Sequence, residues 1–208
     1  MDNFNKHNHW ENIYNTKQLT EVSWYQPTPN TSLKFITDKN LNPTSNIIDV
    51  GGGDSFFVDH LLTLGFTNIS VLDISETAIE RAKKRLGEKA KLVNWIVCDI
   101  LNFKPTQRYD FWHDRAAFHF LTEQNDINKY ITILNQSLII KGFALIGTFS
   151  ENGPKKCSGI DIKQYSHCEL KNTFNDNFEV IENLNTDHQT PFNTIQNFNF
   201  CLFKKQTN

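Results

Sequence analysis

Between Asn46 and Phe149 short apolar runs alternate with stretches of helical spacing, and this alternation predicts βαβ units around a parallel sheet. The first strand is Asn46 to Val50. A helical stripe follows through Phe57, Leu61 and Leu64 and meets Gly65, a residue suited to the left-handed turn past a helix end. Ile69 to Asp73 is the second strand. Ser75 can cap the next helix, whose stripe runs through Ile79, Ala82 and Leu86 to a stop at Gly87, with Glu80 and Lys84 spaced to pair. Leu92 to Cys98 and Tyr109 to His113 form the third and fourth strands. Ile127, Tyr130, Ile131, Leu134 and Leu138 then mark an amphipathic helix that Lys141-Gly142 ends, and Phe143 to Phe149 is the fifth strand.

Glu151 to Tyr165 reads as a long loop with Gly153-Pro154 and Ser158-Gly159, and long loops in compact domains tend to carry function. A short helix near Glu169 to Phe174, a strand Phe178 to Leu184, a connection through Pro191 and a last strand Gln196 to Phe203 complete the pattern. The 208 residues, 38% hydrophobic with seventeen Phe, suffice to bury one sizeable core. The expected organisation is therefore a single domain over 1–208, with a core at 46–203 behind an N-terminal segment at 1–42.

Charge and cysteine usage remove several functions. A formal net charge of -2 with scattered Lys and Arg offers no electrostatic footprint for a polyanion, so nucleic acid is not an expected partner. Cys98, Cys157, Cys168 and Cys201 form no CxxC pair, which argues against a zinc site and a disulfide framework and for reduced thiols in a cytoplasm. His60, His119, His167 and His188 have no partner at metal-ligand spacing, and His7 and His9 lie in a polar terminal stretch, so no metal is expected. Met1 to Asn8 contains no apolar h-region, and no run approaches the roughly 18 apolar residues of a membrane span. Secretion and membrane insertion are not expected.

Asp49-Val50-Gly51-Gly52-Gly53-Asp54-Ser55 lies where the first strand turns into the first helix. A ligand there meets backbone N–H groups and the end of a helix dipole. Gly51 and Gly53 permit positive φ and close approach to the backbone. Asp49 stands two residues before the first glycine, where its carboxylate would repel a pyrophosphate but hold an ammonium, directly or through water. Asp73 ends the second strand at the position for gripping two ribose hydroxyls with one carboxylate. Asp99 ends the third strand, where it can accept from an adenine amino group, and Ile74 and Ile100 follow these acids as flat apolar walls. Each acid also suits the ordinary task of capping a helix or turn.

With these residues the chain resembles the class I, seven-stranded S-adenosylmethionine-dependent methyltransferases over about residues 46 to 203. The family's Asp/Glu-x-Gly-x-Gly pattern is met by Asp49, Gly51 and Gly53, its ribose acid by Asp73 and its adenine acid by Asp99. Ser55 stands where many members carry a third glycine. The resemblance implies a doubly wound, mostly parallel α/β sheet of seven strands with helices on both faces and an antiparallel C-terminal strand. It also implies S-adenosylmethionine as cofactor. His9-Trp10-Glu11-Asn12-Ile13-Tyr14 and Ser23-Trp24-Tyr25 resemble a lid of bacterial small-molecule methyltransferases and some protein-lysine methyltransferases, whose aromatics help to cover the cofactor. Trp10, Tyr14, Trp24 and Tyr25 equally suit sealing the edge of a core.

Trp112-His113-Asp114-Arg115 ends the fourth strand, where the family fold brings methyl donor and acceptor together. His113 or Asp114 could take a proton from the acceptor there, and an Asp114–Arg115 salt bridge shaping the turn is the competing reading. The implied mechanism is in-line displacement at the methyl carbon, accelerated chiefly by positioning. A minimal chain without a basic groove favours a small-molecule acceptor over a protein lysine. The oxidoreductase alternative wants GxGxxG spacing and no carboxylate before the loop, and a binding module without chemistry is the remaining rival. Oligomeric state is left open.

Overall fold

Side-chain alternation along β1, Asn46–Val50, sends Ile47 into one apolar core and Ile48 and Val50 into another, so this strand is buried on both faces. The computed structural model describes residues 5–207; the first four residues of the expected N-terminal segment and Asn208 lie outside the described residues. Two helices, α1 (Lys6–Thr16) and α2 (Asn30–Asp38), precede β1. The chain then runs through α3 (Phe57–Thr63), β2 (Asn68–Asp73), α4 (Glu76–Leu86), β3 (Val93–Val97), β4 (Tyr109–Arg115), α5 (Gln124–Ser137) and β5 (Leu138–Phe149). A small hairpin, β6 (Lys156–Cys157) and β7 (Ile160–Asp161), precedes α6 (His167–Phe174), β8 (Phe178–Gln189) and β9 (Ile195–Lys205).

The main sheet has seven strands in the order β3-β2-β1-β4-β5-β9-β8, and only β9 runs against its neighbours. This is the doubly wound, mostly parallel arrangement expected from the sequence. Ile47, Ile69, Val71, Phe111 and Leu145 form one core with Phe35 of α2 and Phe57 and Leu61 of α3. Ile48, Leu72, Trp112 and Ile146 form the other with Tyr130 and Leu134 of α5 and Phe174 of α6. Truncating one of these buried rings to alanine would cost about 3–5 kcal/mol, because packed neighbours only partly refill the space.

Several boundaries differ from the expected ones. Leu64 is 47% exposed, and α3 stops at Thr63. Glu80 pairs with Lys83, one turn position short of Lys84. Leu92 closes a 3₁₀ turn instead of opening β3. The amphipathic helix ends at Ser137, and Leu138 already pairs with Tyr109 in the sheet. Beyond it the register jumps so that Phe111 faces Phe143, and Lys141 at φ 65° lets the intervening residues bulge out. The expected long loop contains the β6–β7 hairpin, whose tip residues Ser158 and Gly159 both have positive φ, as a two-residue hairpin turn requires. No helix among the described residues is long and apolar enough to cross a membrane.

Candidate active site

Strand order reverses between β1 and β4, and in sheets of this topology the ligand crevice opens at the carboxyl ends beside such a switch. A cleft of about 1280 Å³ empty space, partly open to solvent, lies there. Asp49, Gly51, Asp73, Ile74, Asp99 and Ile100 line it, whereas Gly53, also singled out from the sequence, is not among the lining residues.

The glycine loop is tied down by its neighbour strand: Gly51 and Gly52 N–H both donate to Leu72 O, at 2.8 and 3.2 Å. Gly51 (φ 66°) and Gly53 (φ 49°) occupy the left-handed region. A Cβ at Gly53 would stand 2.7 Å from the Tyr14 hydroxyl and 3.1 Å from Asp73 Oδ2. Gly52, which the pattern left free, has no room either, since its Cβ would lie 2.5 Å from Asp49 Oδ2. Beyond the loop, Arg85 donates to Asp54 O and Ser55 O, and Arg81 pairs with the Asp54 carboxylate at 2.9 Å. Two arginines of α4 thus hold the loop from outside the cleft.

The carboxylates are held in different ways. Asp49 Oδ1 lies 2.6 Å from His113 Nδ1, and His113 Nε2 lies 2.8 Å from Ser32 Oγ on α2. Asp73 Oδ1 accepts from Ser75 N–H at 2.8 Å. Burial pushes the Asp73 carboxyl up to about 7 against the pull of the Ser75 and Gly53 N–H groups, and the neighbouring Asp54 and Asp49 charges push the same way. Asp99 caps the 3₁₀ turn Ile100–Asn102 by accepting from Leu101 N–H. Asp73, which has no ion-pair partner among the described residues, together with Asp49 beside a backbone that no side chain can crowd, suits a ligand with an ammonium and two vicinal hydroxyls. S-adenosylmethionine has both.

Lid aromatics gather over the cleft. Trp10 and Tyr14, one helical turn apart on α1, meet Trp24, with ring centroids 5.8 and 6.3 Å away, and Trp10 packs edge-on against Phe120 at 5.2 Å. Glu11 accepts from Thr77 N–H at the start of α4, and Arg81 donates to Tyr14 O and Lys17 O, so α1 is clamped to α4. Burial beside Asp73 and Asp54 raises the Tyr14 phenol well above its ordinary value. No sequence signal marked Phe120, Ser32, Arg81 or Thr77, because their roles depend on which elements the fold brings together.

His113 and Asp114 occupy opposite faces of β4. His113 lines the cleft with both ring nitrogens engaged, its ring 4.1 Å from that of Phe57. Asp114 is fully buried on the α5 side, accepting from Ala117 and Phe118 N–H and from Tyr130 OH at 2.6 Å, and is not among the cleft residues. Burial pushes its carboxyl up to about 6 despite the Tyr130, Phe118 and Ala117 donors. The Asp114–Arg115 salt bridge is absent: adjacent strand residues point to opposite faces, and Arg115 donates to Trp24 O. Among the described residues no cluster of three or more His, Cys, Asp or Glu could hold a metal ion.

Comparison with known proteins agrees with this geometry. A methyltransferase-domain family model matches residues 47–142. EEF1A lysine methyltransferase 2 from Homo sapiens is 29% identical over 86% of this chain and 76% of its own length, and its Mus musculus counterpart is 26% identical over 86% and 73%. Malonyl-[acyl-carrier protein] O-methyltransferase 1 from Ilyobacter polytropus is 38% identical, over 38% of this chain and 30% of its own length. In three dimensions the N-methyltransferase NodS from Bradyrhizobium japonicum, solved with S-adenosylhomocysteine, superposes with a TM-score of 0.74 at 14% identity, over 98% of this chain and all of its own. A structure concerned with the conversion of a disulfide bond into a thioacetal group during echinomycin biosynthesis gives 0.80 at 17% identity, over 98% and 93%. The cleft, the strand order and these relatives together make the chain a class I S-adenosylmethionine-dependent methyltransferase.

Proposed function

We propose that this methyltransferase acts on a small-molecule acceptor enclosed beneath the N-terminal segment. The observation that carries the reading is the edge-to-face cluster of Trp10, Trp24 and Phe120, which lines one side of the cleft and narrows a space that is only partly open to solvent, where a peptide substrate would need an open groove. The whole chain then works as one domain, the described part of the N-terminal segment, residues 5–42, covering the core at 46–203. Four free thiols suit a reducing, cytoplasmic setting.

When bound, the cofactor supplies an electrophilic methyl group on a sulfonium. Asp49 would hold the ammonium of its methionine moiety, Asp73 the ribose hydroxyls and Asp99 the adenine amino group, and Ile74 and Ile100 would supply apolar walls for the ring. Trp10, Tyr14 and Trp24 exclude water from above. His113 fixes the rotamer of Asp49, and Asp114 stiffens the turn after β4, so the acceleration comes from positioning. Neither residue has a free acceptor atom pointing at the substrate in this reading.

A protein lysine is the second reading, favoured by similarity to EEF1A lysine methyltransferase 2 across most of both chains. Purified protein incubated with methyl-labelled cofactor and a cell lysate separates the two. Label in the low-molecular-weight fraction is expected; label confined to polypeptides would establish the lysine reading instead.

A further inference from the structure

We infer that Arg115 binds an anionic oxygen group of the acceptor, which makes the acceptor a small carboxylate or phosphate ester with an apolar body. The inference rests on the small-molecule reading and adds a chemical class to it. Arg115 ends β4 two residues beyond His113, on the same strand face, and lines the cleft. Its guanidinium lies over the Phe198 ring at 5.1 Å, and one nitrogen donates to Trp24 O at 3.1 Å. The other, Nη2, is shut off from solvent and has no hydrogen-bond partner among the described residues.

No carboxylate stands within ion-pair distance of this cation among the described residues. Asp49 acts on it only at Coulombic range and is already paired with His113. Cys157 lines the same end of the cleft, and burial pushes its thiol up to about 12, so it stays neutral. Burial and the nearby guanidinium lower His119 to about 3 and His188 to about 4, so neither adds charge at neutral pH. Burial lowers Arg115 itself only to about 10, which leaves it a cation. Arg115 is only half-buried, but its solvent-excluded Nη2 lacks a partner, which is unfavourable unless an anion completes it, and the planar fork of a guanidinium matches a carboxylate or phosphate. Trp24 and Phe120 also line the cleft and supply apolar walls for the acceptor's body.

The group also lies on the side of β4 that faces β5 and β9, where Phe198 sits, whereas Asp73 and Asp99 belong to the ends of β2 and β3. An anion held there is therefore separate from the adenosine. The remaining source of the same chemistry is the cofactor's own α-carboxylate, and the test distinguishes the two.

Binding of S-adenosylhomocysteine, of its decarboxylated analogue, and of benzoate or phenyl phosphate to S-adenosylhomocysteine-saturated protein is measured by calorimetry for wild type, Arg115→Met and Arg115→Lys. Thermal unfolding first establishes that each variant is folded, with Arg115→Lys available if the methionine variant is not. The expected result is cofactor-product affinity within about threefold of wild type in both variants, with benzoate or phenyl phosphate binding wild type saturably and the methionine variant at least about tenfold more weakly. Arg115→Lys, which keeps the charge and loses the fork, falls between. Loss of S-adenosylhomocysteine affinity in Arg115→Met with the decarboxylated analogue unaffected would assign the guanidinium to the cofactor and overturn the inference. Equal probe affinity in wild type and variant, or no probe binding to either, would overturn it too. Label transfer to polypeptides with Arg115-dependent probe binding intact would instead remove the small-molecule reading and leave the anion site standing.

Discussion

His113 Nδ1 lies 2.6 Å from Asp49 Oδ1, and the two residues are register partners across the parallel pair β1 and β4. The contact orients the carboxylate just before the glycine loop, while Ser32 and the Phe57 ring hold the imidazole from behind. His113→Ala would leave Asp49 buried without this partner, at a loss of about 3 kcal/mol of stability, and should weaken S-adenosylhomocysteine binding about tenfold or more. Urea unfolding and calorimetry check both. A general base would behave differently, losing about 10²-fold in kcat with cofactor affinity intact and a changed pH profile.

Asp114→Asn keeps an acceptor for the Ala117 and Phe118 N–H groups and weakens the bond from Tyr130. We expect kcat and cofactor affinity within about threefold of wild type, an unchanged pH profile, and stability lowered by about 1–3 kcal/mol. A hundredfold loss of kcat, on the order set by general-base catalysis, would restore Asp114 as a proton acceptor.

Asp73 should give the site a pH dependence. Burial raises its carboxyl from 3.8 to about 7, so the folded apo protein holds a proton that the unfolded chain has already released. Stability contributed by this neutral carboxyl is fully present below the unfolded value and is lost as pH rises through about 7. Ribose binding at Asp73 would have the opposite sign, because the ionised carboxylate is the stronger acceptor. S-adenosylhomocysteine affinity should therefore rise between about pH 6 and pH 8, and the rise should vanish in Asp73→Asn. Calorimetry across this range is the check.

Gly52→Ala places a Cβ 2.5 Å from Asp49 Oδ2 and 2.9 Å from Val71 Cγ1. Because the carboxylate is pinned by His113, the strain should appear as about 1–3 kcal/mol of lost stability together with weaker cofactor binding. Thermal unfolding with and without S-adenosylhomocysteine reads both effects.

How much of this was legible in the sequence depended on range. Local rules located β1 without error, and Ser75 caps α4 by accepting from Ala78 N–H, as its position predicted. The glycine loop and the acids at 49, 73 and 99 were legible because strand ends and short spacings fix them. Lys141-Gly142 misled, since a residue suited to positive φ serves a sheet bulge as well as a helix stop. The partners of His113 were hidden for another reason: Ser32 and Asp49 are 81 and 64 residues away, and only the β1–β4 pairing and the docking of α2 bring them together. Arg115 looked like a partner for Asp114 until strand alternation separated them.

The central claim is that the β1–β2–β3 end of this cleft binds the methyl donor through its acids. Calorimetric titration of the folded protein with S-adenosylhomocysteine tests it most directly. One-site binding is expected, and Asp73→Ala, still folded, should weaken it by about 2 kcal/mol or more, roughly 30-fold, through the loss of two charge-assisted hydrogen bonds. No binding of S-adenosylhomocysteine or S-adenosylmethionine by folded protein that does bind NAD would contradict it.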